Sequence, residues 1–167
     1  MANRDWTKSD ISTGYYKFIG ALIFIVVLAI GLCDYPFFIG ISDFIGSFIP
    51  AVESFAAGTR YSSEARSIWA ALWMFSPITA FLFYRFTGGR IGYSVKPRIL
   101  WILIPTAIGC FYACLYGFLN PVGHSTNPGK LTALYQDTLF GVGLISVTFW
   151  LSFYSSVGGI ITIVKDD

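Results

Sequence analysis

The chain has 167 residues, 55% of them apolar, 19% aromatic and only 12% charged, with a mean hydropathy of +0.66 and an isoelectric point near 8.4. That charged fraction is about half of what a soluble domain needs to cover its surface, which excludes an ordinary water-soluble fold and points to a bilayer as the solvent. A net charge of +2 is too mild for a nucleic-acid-binding surface, and 167 residues divided into spans of ~20 leave no room for a large catalytic domain outside the membrane.

Four stretches contain no Asp, Glu, Lys or Arg: Phe18 to Cys33, Ser67 to Tyr84, Ile99 to Phe118 and Leu139 to Val164. They predict four transmembrane helices at approximately 15–33, 67–86, 99–118 and 139–164, an all-α integral membrane protein with a four-helix bundle. Tyr15, Tyr16, Trp69, Tyr84 and Trp101 sit near the span ends, where amphipathic rings prefer the interface. Ile30-Gly31-Leu32 before Cys33 is neither a small-x-small cleavage site nor a good lipoprotein acceptor, so a retained first span is expected.

Basic residues set the expected topology. With both termini cytoplasmic, the inside holds Arg4, Lys8, Lys17, Arg85, Arg90, Lys96, Arg98 and Lys165, and the outside only Arg60, Arg66 and Lys130. Eight against three, with four of the eight in or beside the loop 87–98, is a positive-inside bias. The outer, periplasmic loops are then 34–66 and 119–138.

In the first outer loop, Phe37, Phe38, Ile41, Phe44, Ile45 and Phe48 recur at helical spacing, with Ser42, Asp43, Gly46 and Ser47 mostly opposite. This predicts one short amphipathic helix lying at the interface between Pro36 and Pro50. It either covers the top of the bundle or receives a hydrophobic partner.

Within the third span Thr106, Gly109, Ala113 and Gly117 share a helical face, as do Thr148, Ser152, Ser155, Gly159 and Thr162 in the fourth. Small side chains let helices approach closely in lipid, so both stripes are candidate helix-packing seams, internal or open to another protein's helix. Pro77 and Pro105 should kink the second and third spans.

Other chemistries find little footing. Pumps and ion-coupled transporters need charged groups inside the hydrocarbon, and the four charge-free stretches that form the span interiors have none. His124 in the second outer loop has no second His or nearby Cys to make a metal site. Cys110 and Cys114 lack Cys-x-x-Cys spacing; with Cys33 they fall in the outer half of the spans, where a bridge forms if those helices touch and buried free thiols result if they do not. Neither an enzyme, nor a cofactor, nor a bound metal is expected.

The layout as a whole resembles the four-span immunity proteins of the colicin A type. It has a short polar N-terminus, a longer first outer loop, a second span with Ser76-Pro77 ending in Phe83-Tyr84-Arg85, and a basic cytoplasmic turn. Two further spans follow around a loop running from Asn127 through Pro-Gly-Lys to Asp137-Thr138-Leu139. The resemblance implies a multi-pass protein of a bacterial inner membrane that binds the membrane-inserting helices of a cognate pore-forming toxin and prevents pore opening. The toxin would be a bacteriocin or one delivered by contact-dependent or type VI secretion. The residues that would serve such a partner are Asp43, Phe44, Phe48 and Glu53 in the first outer loop, Lys130 and Asp137 in the second, and Thr148, Ser152, Ser155 and Gly159 in the fourth span. The alternative is a small accessory subunit of a larger respiratory, secretion or transport complex, in which the same seams would bind neighbouring subunits.

Overall fold

A computed structural model of the chain describes residues 7–90, 99–116 and 130–166. The described residues are all-helical: α1 (Lys8–Leu32), α2 (Pro36–Phe48), α3 (Pro50–Ala57), α4 (Ser62–Met74), α5 (Ser76–Thr87), α6 (Leu100–Tyr116), α7 (Lys130–Asp137) and α8 (Leu139–Asp166). Two helices, α1 and α8, are each long and apolar enough to cross a membrane, and the number rises to four if each of the bent pairs α2–α3 and α4–α5 is one span. The chain is thus a multi-pass membrane protein by the length and composition of its helices.

At the start of α1 the Thr7 side chain accepts from the Asp10 amide at 3.1 Å and the Asp10 carboxylate accepts from the Thr7 amide at 3.3 Å. This reciprocal capping box satisfies donors that a helix start leaves open. From there 25 residues rise ~37 Å, enough to cross ~30 Å of hydrocarbon.

The predicted second span is helical but starts earlier, at Ser62, and is broken: α4 and α5 meet at 60° around Phe75. Pro77 lies in the first turn of α5 and cannot donate a backbone hydrogen bond, which is the physical cause of the bend. Tyr154 of α8 braces it, its hydroxyl lying 2.8 Å from Thr79 Oγ1 and 3.3 Å from the Ser76 carbonyl. Pro105, by contrast, lies inside α6, which continues through it as one helix. The α5 end is closed by Gly88 in the left-handed region at φ 65°, whose amide bonds the Tyr84 carbonyl, a conformation that favours glycine.

The bundle packs α1 against α5, α4 and α8, and α6 against α8. Gly14 makes the α1–α5 crossing possible, because a Cβ there would stand 1.8 Å from the Phe86 carbonyl oxygen. Deeper along the same pair, Phe18 meets Phe83 and Tyr154 edge-on with ring centroids at 5.1 and 5.0 Å. Trp73 meets Trp150 at 5.4 Å and donates its indole N–H to the Cys114 carbonyl at 2.8 Å. Large rings in edge-to-face geometry thus fill the centre of the bundle, each such pair adding ~1 kcal/mol beyond burial.

The first outer loop differs most from expectation. The expected helix between Pro36 and Pro50 is present as α2, and a second, α3, follows it at an angle of 110° across Ile49. α3 packs between α4 and α6, with Ala51, Val52, Phe55 and Ala56 buried. The sequence PAVESFAA carries its own signals for this element: Pro50 at the first turn, Gly58 at the C-cap, and apolar residues at i, i+1, i+4 and i+5.

Candidate functional site

α3, the α3–α4 connection and α7 come together at one end of the helix packing. Phe55 of α3 is stacked on Trp69 of α4, centroids 3.8 Å apart and planes within 7°. Tyr135 of α7 and Phe149 of α8 meet the Phe55 ring edge-on at 6.2 and 5.8 Å. The Tyr135 hydroxyl donates to the Phe55 carbonyl, and burial pushes that hydroxyl well above the ordinary phenol range. The α3–α4 connection is tied to the end of α7: Thr59 Oγ1 donates to the Tyr135 carbonyl at 3.0 Å, and the Arg60 amide donates to the Gln136 carbonyl at 3.1 Å. Arg60 Nε also pairs with Asp137 at 3.2 Å. Gly141 lets α8 leave α7 at a sharp corner, since a Cβ there would lie 2.0 Å from the Leu134 carbonyl oxygen.

Beside this junction, Arg66 of α4 clasps Asp43 and Glu53, both expected as partner-binding residues. Its Nη1 donates to Asp43 of α2 at 3.0 Å and its Nη2 to Glu53 of α3 at 2.7 Å. One planar guanidinium therefore fixes the angle between α2 and α3, a geometry for which its fork of donors is suited. Gly46 gives Glu53 room, because a Cβ at that position would come within 2.9 Å of its carboxylate. Arg66 was not among the expected site residues; its position in a polar helix start, 13 and 23 residues from its partners, is not visible in local spacing.

α2 divides its apolar residues differently from the single face expected. Phe38 is buried, Ile41 and Ile45 are half-buried, and Ser42, expected on the polar side, is 1% exposed. Phe44 and Phe48 point outward, 66% and 67% exposed, their rings packed edge-to-face at 5.1 Å. A helix resting on α4 and α3 needs only a narrow stripe, so the remaining Phe residues lie beyond it. Phe44 and Phe48 thus form an exposed aromatic pair on α2, while the Asp43–Arg66–Glu53 clasp holds another side of that helix to α3 and α4.

The span stripes take different positions. In α8, Gly159 and Thr162 are buried. Ser155 is half-buried, hydrogen-bonded to the Tyr15 hydroxyl of α1. Ser152 is half-buried and Thr148 is exposed. The lower part of the stripe is an internal seam and its upper part faces outward. In α6, Thr106 and Gly109 are exposed and Ala113 half-buried, and nothing lies within 4 Å of a Cβ built on Gly109. The α6 face turned to the bundle is the neighbouring one, carrying the buried Ala107 and Cys114. Gly117, His124 and the Lys130 side chain lie outside the described residues. Cys33, Cys110 and Cys114 are all free, and no group of three or more potential metal ligands forms among the described residues.

No family model, no curated protein and no solved structure matches this chain.

Proposed function

We propose that this chain is an immunity protein of a bacterial inner membrane that binds the membrane-inserting helices of a cognate pore-forming toxin and keeps the pore from opening. In this reading α1, the α4–α5 pair, α6 and α8 form a four-span bundle with cytoplasmic termini, and α2, α3 and α7 form its periplasmic cap. The observation that carries the reading is the exposed Phe44–Phe48 pair on a helix that the Asp43–Arg66–Glu53 clasp holds in place. It offers an apolar anchor on a braced helix, in this reading at the side from which a toxin arrives. Aromatic residues and Arg in such settings commonly dominate binding. On α8, the exposed Thr148 and half-buried Ser152 offer a small-residue surface on which an inserted apolar helix can lie closely. Binding of this kind needs no chemistry, only complementarity.

The test is protection of toxin-exposed cells by variants that still insert into the membrane. Phe44→Ala with Phe48→Ala, and separately Ser152→Leu, should each abolish protection at unchanged membrane levels; full protection by both would refute the reading.

A second reading, an accessory subunit of a larger membrane complex, is favoured by α6. Trp101 is 86% exposed and Ile102, Ile108, Phe111 and Tyr112 are exposed along the same helix, a surface that a neighbouring subunit would cover. Extraction in mild detergent separates the two, since an accessory subunit would come out with stoichiometric partners in cells that make no toxin.

A further inference from the structure

An apolar groove of about 400 Å³ lies between the C-terminal half of α1, the start of α2 and the α4–α5 bend. Ile25, Leu28, Ala29 and Leu32 form one wall, Phe37, Phe38 and Ile41 a second, and Ala71, Met74 and Phe75 the floor, with Tyr35 at one end and no polar surface. Its size suits a small apolar ligand, for which pockets of roughly 300–1,000 Å³ are usual. A helix, ~10 Å across with its side chains, does not fit. Leu28, Phe37 and Met74 are exposed as well as lining it, so the groove opens sideways, toward the hydrocarbon.

Its upper end is acidic. Asp34 directly precedes Tyr35, and Glu64, whose carboxylate accepts from Ser63 Oγ at 2.8 Å, lies about two turns before Ala71 on the same face of α4. Among the described residues the two arginines of this region are already committed, Arg60 to Asp137 and Arg66 to Asp43 and Glu53. The basic residues of the chain between 33 and 66 are these two alone. Neither Asp34 nor Glu64 forms an ion pair with any described cation.

We infer that this groove is a lipid site selective for an aminophospholipid of the phosphatidylethanolamine class, with one acyl chain in the groove and the headgroup ammonium at Asp34 and Glu64. A primary ammonium offers three donors to the two carboxylates. A choline headgroup brings the charge without a donor, and a phosphatidylglycerol headgroup brings only negative charge against negative charge. The inference is independent of the immunity reading and holds whichever partner the cap binds.

Native mass spectrometry of the purified full chain, delipidated in detergent and titrated with each lipid, tests it. Phosphatidylethanolamine should be retained roughly fivefold over phosphatidylglycerol at equal concentration, the scale of one partly exposed ion pair, with phosphatidylcholine between them. Asp34→Asn with Glu64→Gln, the first exposed and the second half-buried, should bring that ratio close to one with the melting temperature unchanged. Met74→Trp, which fills the groove, should lower retention of all three lipids. Equal retention of the lipids by the unaltered chain, or a preference that survives Asp34→Asn with Glu64→Gln, would overturn the assignment.

Discussion

Removing the Phe55 ring gives a clear measure of whether α3 is part of the packed structure or a loop resting on it. The side chain is 2% exposed. It is stacked on Trp69 at 3.8 Å and edged by Tyr135 and Phe149, so Phe55→Ala leaves a cavity that four helices would have to collapse to fill. Buried Phe→Ala changes cost about 3–5 kcal/mol. The full range applies because α3, with eight residues and Glu53 in its first turn, returns on unfolding to water or the interface rather than to lipid. At roughly 2–4 °C per kcal/mol for a chain of this size, the melting temperature in detergent should fall by roughly 10 °C. Trp69 should also lose its stacking partner, shifting the tryptophan emission. The Tyr135 hydroxyl bonds the backbone carbonyl of residue 55, so that contact survives the substitution and the change reports ring packing alone. A loop lying over the surface would register less than about 0.5 kcal/mol; a shift under 2 °C with unaltered emission would refute the packed cap.

Three further outcomes follow from the geometry. Gly14→Ala should destabilise the fold by about 2 kcal/mol despite alanine's better helix propensity, because its Cβ meets the Phe86 carbonyl, whereas Gly20→Ala, in open space, should be neutral or gain up to ~1 kcal/mol; equal thermal shifts for the two would contradict the α1–α5 crossing. Arg66→Ala should cost only about 1 kcal/mol, its pairs being partly exposed, yet markedly speed hydrogen exchange and proteolysis within α2; unchanged α2 protection would show that the clasp does not hold the helix. Burial holds the Tyr135 proton more tightly in the folded cap than in the unfolded chain, so the contribution of this group to stability is intact below the ordinary phenol value of about 10 and declines as pH rises from there through the raised folded value. Tyr135→Phe should remove that alkaline slope while losing about 1 kcal/mol at neutral pH, and an identical slope in both proteins would exclude Tyr135 as its source.

The helical class and the apolar segments were legible because a run such as Leu139 to Val164, without a charge, can hardly be anything other than a buried or membrane helix. The α4–α5 bend was legible at Pro77, since a missing amide is a local property. Less legible were features set by contacts between distant residues. Nothing near Arg66 signals that Asp43 and Glu53 will both reach it, and nothing near Gly14 signals that Phe86 will press its backbone there. The division of α2 failed for a related reason: helical spacing places Phe38, Phe44 and Phe48 on one broad apolar arc, but only the packing of α4 and α3 decides which part of that arc is covered. In α6 the small residues Thr106 and Gly109 suggested the seam, while the bundle uses Ala107 and Cys114, one residue away. α3 could have been read from Pro50, Gly58 and the apolar pattern between them, which the long loop surrounding it obscured.

The central claim, protection against a pore-forming toxin, is tested most directly by the membrane potential of a strain lacking this gene, followed with a voltage-sensitive dye in cells grown alone and in cells mixed with the unmodified parent. Normal polarisation alone and depolarisation beside the parent are expected, reversed by restoring the gene but not by its Phe44→Ala, Phe48→Ala form. Cells that stay polarised beside a toxin-producing parent would contradict it.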